Sequence, residues 1–306
     1  MPMTPIGTVY EVVGGVYEVC LDDGRVVQAS IRGRLKHSSD PEERVVIGDR
    51  VRLEGPDGSL TVEERLERSS RLIRAGVGKR APKVMAANLE RLIVVVAADR
   101  PAPRTEIVDR MLALGEWGGL VGVVVINKCD LPETSDLVAD LHALYEGVGY
   151  DVLEASAETD QGIEAFRELL CSGSSVLVGP SGVGKSTLIR RAQPGLDIRI
   201  GDVSERTGGG RHTTVSSRII PLECGGLVAD TPGFGEAGLW GLDPADVGEL
   251  FPEMRAAITE CRFRECSHVH EPDCGVRNAL ADGRIDPRRY GSYVSLFEAA
   301  SEAAES

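Results

Sequence analysis

Residues 6–62 alternate apolar and polar positions between glycine-rich turns. In "GTVYEVVGGVYEVCLDDGRVVQASIRGRL" apolar side chains recur at every second position, and "IGDRVRLE" and "GSLTVEERL" repeat that period. A period of two sends successive side chains to opposite faces of a strand. Short strands separated by turn signals predict a small antiparallel barrel. The pattern alone does not separate an OB-like barrel from an SH3-like one.

Near Asn88 the texture changes. "LIVVVAA" (92–98) and "LVGVVVI" (120–126) are unbroken apolar runs, as expected of parallel strands buried on both faces. Between them "TEIVDRMLALGEW" sets Ile107, Val108, Met111 and Leu112 at helical spacing. "SDLVADLHALYEGVG" does the same with Leu137, Val138, Leu141, Leu144 and Tyr145, and Ser135 is placed to cap it. A strand at "YDVLEAS", a helix at "GIEAFRELL" and strands at "SSVLVG", "SSRIIPLE" and "GGLVAD" continue the alternation. The expected architecture is a doubly wound α/β domain. Past Leu242 the chain turns polar and irregular, and it ends in a helical tail, "YGSYVSLFEAASEAAES".

"SSVLVGPSGVGKSTLIRRA" satisfies G-x-x-x-x-G-K-[ST] between an apolar strand and a helix. Gly179, Gly182 and Gly184, with Pro180, Ser181 and Val183, form a loop whose backbone N–H groups can surround a β-phosphate. The helix that starts near Lys185, Ser186 and Thr187 adds its positive end. Lys185 would bridge β- and γ-phosphate oxygens and the Ser186 hydroxyl would ligate Mg²⁺. "ADTPGF" (229–234) follows another apolar strand, which puts Asp230 where a magnesium-facing carboxylate belongs and Gly233 where an N–H meets a γ-phosphate. Between the two lies "SERTGGGRHTTVSS", which has the composition of a mobile switch, with Thr213 or Thr214 reaching Mg²⁺ in the triphosphate state.

The base is read elsewhere. "VVVINKCD" ends a strand in Asn127-Lys128-Cys129-Asp130. A carboxylate at Asp130 would accept from guanine N1–H and the exocyclic amino group. Adenine offers neither donor there, so the wrong base leaves the carboxylate unpaired. Asn127 would tie the loop and read the base edge, and the Lys128 stem would cover the ring. The next strand ends in "EASAE", where Ser156 and Ala157 can present a backbone N–H to guanine O6. The order is therefore base reader, second base loop, phosphate loop, switches. That is a circular permutation of the usual GTPase order, and it keeps each loop at the carboxyl end of its strand.

The net charge of −14 argues against a generally basic nucleic-acid binder. One stretch departs from it: Arg65 to Lys83 holds seven basic residues and a single acid, Glu67. No run approaches a membrane span and the N-terminus lacks a signal-peptide layout, so a cytoplasmic protein is expected. Cys20, Cys129, Cys171 and Cys224 stand alone and read as small hydrophobes. The other three cysteines cluster with two histidines in "CRFRECSHVHEPDCGV" (261–276), a grouping that suggests metal before disulfide.

Taken together, the barrel pattern, "AANLERLIVVVAADRP", the permuted "NKCD", "SA", "GPSGVGKSTL", "GGGRHTT" and "DTPGF", and the Cys/His segment resemble the ribosome small-subunit-dependent GTPase A family (RsgA/YjeQ type) over nearly the whole chain. The resemblance implies an OB-fold domain (1–72), a permuted GTPase domain (73–242) and a zinc-binding helical domain (243–306). It also implies GTP hydrolysis to GDP stimulated by the 30S subunit, a role in late 30S maturation, and contact with 16S rRNA by a monomeric protein. It places one structural Zn²⁺ on Cys261, Cys266, His268 and Cys274, although spacing alone leaves His270 as a rival. It gives water positioning to His212, because Phe234 stands where many GTPases carry glutamine. The expected Mg²⁺ ligands are Ser186 and Thr214, with Thr213 the alternative to Thr214. Many family members are more basic, so RNA contact here would rest on local patches: Arg65–Lys83, then Arg32, Arg34 and Lys36, then Arg262, Arg264, Arg288 and Arg289. The competing readings are another permuted ribosome-associated GTPase, a GTP-binding protein without significant turnover, and a P-loop kinase.

Overall fold

The computed structural model describes residues 4–33, 43–56, 58–74, 83–196, 217–231 and 242–304. Strands β1 (Ile6–Val13), β2 (Val16–Leu21), β3 (Val26–Ile31), β4 (Arg50–Glu54) and β5 (Leu60–Arg65) form the barrel the alternation predicts. β1, β2 and β3 pair antiparallel in turn, β3 pairs parallel with β5, β5 antiparallel with β4, and β4 closes on β1. That 1-2-3-5-4-1 circuit is the OB arrangement, so the ambiguity left by the pattern resolves in its favour. Val9, Val19, Val51, Leu53 and Val62 are fully buried inside.

A two-stranded ribbon, β6 (Arg71–Arg74) with β7 (Lys83–Ala87), follows the barrel. The sequence pattern missed it, because its strands are short and β7 is apolar from Val84 to Ala87 rather than alternating. The 72/73 division expected between domains falls within β6. Gly48 lies at φ +82°, and a Cβ there would stand 1.9 Å from the Ala87 carbonyl. Only glycine lets the barrel and ribbon approach this closely.

The α/β unit comprises β8 (Arg91–Ala97), α1 (Thr105–Gly118), β9 (Val121–Asn127), α2 (Ser135–Gly147), β10 (Asp151–Ala155), α3 (Ile163–Cys171), β11 (Ser174–Val178), α4 (Lys185–Ala192), β12 (Arg218–Pro221) and β13 (Leu227–Asp230). The strand order is β10-β9-β8-β11-β13-β12, parallel except for β12. Leu92, Val94 and Val96 face one core, while Ile93, Val95 and Ala97 face the other. That is why these strands read as unbroken apolar runs. From β8 the chain moves outward through β9 to β10, then returns to lay β11 on the other side of β8. The crevice between β8 and β11 is thus a topological switch point, where open α/β sheets bind ligands.

Two expectations are corrected. Ser135 does not cap α2: Thr134 holds the cap position, and its hydroxyl donates to the Leu131 carbonyl at 2.8 Å instead. Cys171 and Cys224 do not stand alone, since they form a disulfide between the end of α3 and the β12–β13 turn. Nothing in their spacing, 53 residues, marks a pair that only the fold brings together. The loop they close contains the phosphate loop. Restricting the unfolded chain in this way typically contributes about 2–4 kcal/mol. Reduction, or Cys171→Ser, is therefore expected to lower the thermal midpoint. A melting curve indifferent to excess dithiothreitol would show the pair to be unbonded.

The C-terminal part consists of 3-10 turns at Pro244–Leu250 and Pro252–Met254, then α5 (Arg255–Ile258), α6 (Gly275–Ala281) and α7 (Pro287–Ala304). α7 packs on α1 around an arginine that the sequence reading assigned to an RNA surface. Arg289 is 1% exposed. Its Nη1 donates to Asp109 Oδ1 at 2.7 Å, its Nε and Nη2 donate to Glu253 at 2.7 and 3.0 Å, and its guanidinium lies over the Phe251 ring. Ser292 Oγ donates to the other Asp109 oxygen at 2.5 Å. Burial pushes the Asp109 carboxyl up from its ordinary value, an effect that Arg289 and Ser292 oppose. A buried charge needs partners of this kind, so Arg289 is removed from the RNA-contact candidates. No helix among the described residues is long and apolar enough to cross a membrane.

Candidate nucleotide site and metal centre

β11 is buried at all five positions and delivers the chain to the phosphate loop at Gly179. Gly184 takes φ +95° as the residue before α4, and a Cβ on it would stand 2.3 Å from Asn127 Nδ2. That contact is informative, because Asn127 ends β9 and belongs to the tetrapeptide expected to read the base. Its Nδ2 donates to the Val183 carbonyl at 2.8 Å, joining loops 56 positions apart. Lys128, at φ +66°, donates from Nζ to the carbonyls of Arg100 and Gly182. The base loop and phosphate loop are therefore one hydrogen-bonded unit, although the chain visits them in the reverse of the usual order.

Lys185 is 8% exposed, and its Nζ donates to the Gly179 and Pro180 carbonyls at 2.7 and 2.9 Å. Burial lowers its pKa. An ammonium held among carbonyls at a helix start is ready to exchange them for phosphate oxygens. Ser181 and Thr187 are exposed and Ser186 half-buried, while the Val183 side chain is buried in the core, so that residue contributes only its backbone.

Asp130 Oδ1 accepts from Ser156 Oγ at 2.6 Å. The same Oγ accepts from the N–H groups of Glu158 and Thr159 at 3.2 Å each. A neutral hydroxyl relays these two donors to the carboxylate and aims it. The Ser156 N–H donates to Gln161 O at 2.8 Å, so of the two residues expected to reach a base oxygen only Ala157 would offer its N–H. Arg191 of α4 holds this second loop, donating from Nε to Ala157 O at 2.9 Å and pairing with Asp160. No motif flags Arg191, because its role arises only where α4 passes the loop.

Asp230 ends β13 at 2% exposure, with Arg218 Nε 3.7 Å from its Oδ2. A hydroxyl at Ser186 and a carboxylate at Asp230 are hard oxygen donors of the kind Mg²⁺ takes. His212, Thr213, Thr214, Gly233 and Phe234 lie outside the described residues.

The Cys/His segment folds into a compact cluster. The ligand atoms of Cys261, Cys266, His268 and Cys274 all lie within 4.8 Å of one another. Cys261 Sγ is 3.9 Å from Cys274 Sγ and 3.4 Å from His268 Nδ1, which is 3.5 Å from Cys274 Sγ. Tetrahedral Zn²⁺ with Zn–S near 2.3 Å and Zn–N near 2.0 Å separates two sulfurs by about 3.8 Å and sulfur from nitrogen by about 3.5 Å. The donor set fits that ion. His270 is exposed and outside the cluster. The surroundings hold the segment in shape: Tyr290 and Tyr293 of α7 donate to the carbonyls of His268 and Ser267 at 2.9 and 2.6 Å. Glu271 accepts from Ser267 N–H and Oγ at 2.9 and 3.0 Å.

Of the basic candidates, Arg68 is locked against buried Asp49, Arg32 pairs with Glu63, Arg262 with Asp273, and Arg288 with Asp140 and Asp286. Arg34 and Lys36 lie outside the described residues. Arg65, Arg68 and Arg71 line a cavity of about 440 Å³ with Trp117, between the barrel and the end of α1.

A family model described as RsgA GTPase matches residues 65–240. The small ribosomal subunit biogenesis GTPase RsgA of Gemmatimonas aurantiaca is 42% identical over 97% of both chains. The protein of that name from Thermotoga maritima is 36% identical over 90% of both. Among solved structures, YjeQ from Thermotoga maritima superposes with a TM-score of 0.80 at 31% identity, covering 97% of this chain and 99% of that one. YloQ, a circularly permuted GTPase, superposes with a TM-score of 0.76 at 26% identity, covering 98% and 96%.

Proposed function

The chain belongs to the RsgA GTPase family, and from that premise we propose that it hydrolyses GTP as a biogenesis factor of the small ribosomal subunit, with the subunit and its 16S rRNA as partners. The observation that carries the reading is the Asn127–Val183 bond, which fastens a guanine reader to a phosphate loop across a permuted chain. Asp130, aimed by Ser156, accepts the two guanine donors, and the Ala157 N–H meets O6. The N–H groups of 179–187 take the β-phosphate, with Lys185 moving from loop carbonyls to β- and γ-oxygens. Ser186 and Asp230, with Thr214, are the residues that would hold Mg²⁺, whose charge offsets that of the phosphates. The Gly233 N–H meets the γ-phosphate, and His212 orients the attacking water, since Phe234 has no group that can.

Zinc on Cys261, Cys266, His268 and Cys274 is structural in this reading: four protein ligands leave no open position. Protein prepared without chelator should carry about one zinc per chain. Cys274→Ser should lower that content and loosen the 261–276 segment while nucleotide affinity persists. Metal analysis finding no zinc in the parent protein would refute the assignment.

The activity reading is tested by GTP turnover with and without purified 30S subunits. Slow intrinsic turnover, raised by subunits and largely lost in His212→Ala with nucleotide binding intact, is the expected result. Turnover indifferent to subunits would favour a GTPase with another partner. No turnover under either condition would favour a binding protein.

A further inference from the structure

The barrel and the GTPase sheet meet at a single register pair among the described residues, Glu11 of β1 opposite Arg218 of β12. Arg218 is in turn opposite Asp230 of β13. Directly opposed residues of antiparallel strands project to the same face. Glu11, Arg218 and Asp230 therefore form an acid–base–acid row across the junction. Its last member is the magnesium-facing carboxylate of the proposed nucleotide site, and the guanidinium lies 3.7 Å from it. Asp230 is almost wholly buried while the Arg218 side chain is 31% exposed, so the arginine is the more solvent-accessible member of the pair.

We propose that Arg218 is a positioning residue shared between Glu11 and Asp230, through which the seating of the barrel sets the Mg²⁺ affinity of the nucleotide site. A cation beside Asp230 opposes a second cation there, so Mg²⁺ binds more weakly while Arg218 leans on Asp230. Glu11 draws the guanidinium the other way. A barrel seated closely on β12 keeps Glu11 against Arg218 and favours Mg²⁺. A barrel pulled aside by its own ligand releases Arg218 onto Asp230 and favours loss of the ion, which loosens bound nucleotide. This inference rests on the assignment of Asp230 to the magnesium site.

The test is a Mg²⁺ titration of full-length protein loaded with N-methylanthraniloyl-GDP, following the slowing of nucleotide release. Arg218→Ala should lower the half-saturating Mg²⁺ concentration about two- to fivefold, the range expected of one partly exposed ion pair. Glu11→Gln should raise it, Arg218→Lys should stay near the parent, and the double variant should match Arg218→Ala alone. That non-additivity separates a shared arginine from general damage to the hairpin. GDP affinity in EDTA checks that each variant is folded. Should Arg218→Ala not fold, Glu11→Gln decides alone. An unchanged midpoint in either variant, or additive effects, overturns the proposal. A Mg²⁺ response that survives Asp230→Ala would instead remove the site assignment beneath it.

Discussion

Asp130→Asn should convert a protein that prefers GTP into one that prefers xanthosine triphosphate. The carboxylate is preset: Ser156 Oγ holds it at 2.6 Å and is itself fixed by two backbone N–H groups. Guanine supplies two donors to that acceptor. Replacing the carboxylate with an amide loses two charge-assisted hydrogen bonds, each worth about 1.5–3 kcal/mol. The GTP affinity should fall on the order of 10²–10⁴-fold. The amide N–H₂ can donate to the 2-oxo group of xanthine, so the same change should raise xanthosine triphosphate affinity. Competition titration against a fluorescent guanine nucleotide measures both. Unaltered relative affinities would remove Asp130 from the base site.

The second large effect is expected at Arg289. Substitution by alanine leaves Asp109 and Glu253 buried without their cation, a situation that typically costs about 3–5 kcal/mol. The loss should concentrate where α7 meets α1. Hydrogen exchange should rise there, and the 261–276 segment, held by Tyr290 and Tyr293 of the same helix, should loosen with it. The neighbouring Arg288 makes exposed pairs with Asp140 and Asp286. Its removal should change stability by no more than about 1 kcal/mol. Equal effects from the two substitutions would mean that the buried network does not hold the interface.

The contrast between these adjacent arginines shows where the sequence stops being legible. Both sit at the start of a helix in a polar stretch, and both read as surface charge. Which one is buried depends on Asp109, 180 positions away, and no local pattern carries that information. The Cys171–Cys224 bond was hidden for the same reason, as was Arg191 behind the Ala157 loop. The parallel strands were legible because burial on both faces imposes an unbroken apolar run. The phosphate loop was legible because its glycines answer to backbone geometry that other residues cannot adopt. At Gly184 that demand is visible as the 2.3 Å approach of Asn127. The β6–β7 ribbon fell between these cases, with strands too short for a period and apolar residues adjacent rather than alternating.

The permuted order was also readable, because each loop keeps its own strand. What the sequence could not supply was the contact between the loops. Asn127 was expected to tie its loop, and the structure shows the tie reaching Val183 in the phosphate loop. Lys128 is expected to cover the base; what the structure shows is its Nζ bridging the carbonyls of Arg100 and Gly182.

On this reading residues 127–130 and 179–187 form one guanine nucleotide site despite their reversed order. A crystal structure of the complex with GDP and Mg²⁺ tests this most directly. Guanine N1 and N2 should lie about 3 Å from the Asp130 carboxylate, with the β-phosphate enclosed by the 179–187 N–H groups and Lys185 Nζ moved off the Gly179 and Pro180 carbonyls. A base seated away from Asp130, with the phosphates still in the loop, would contradict it.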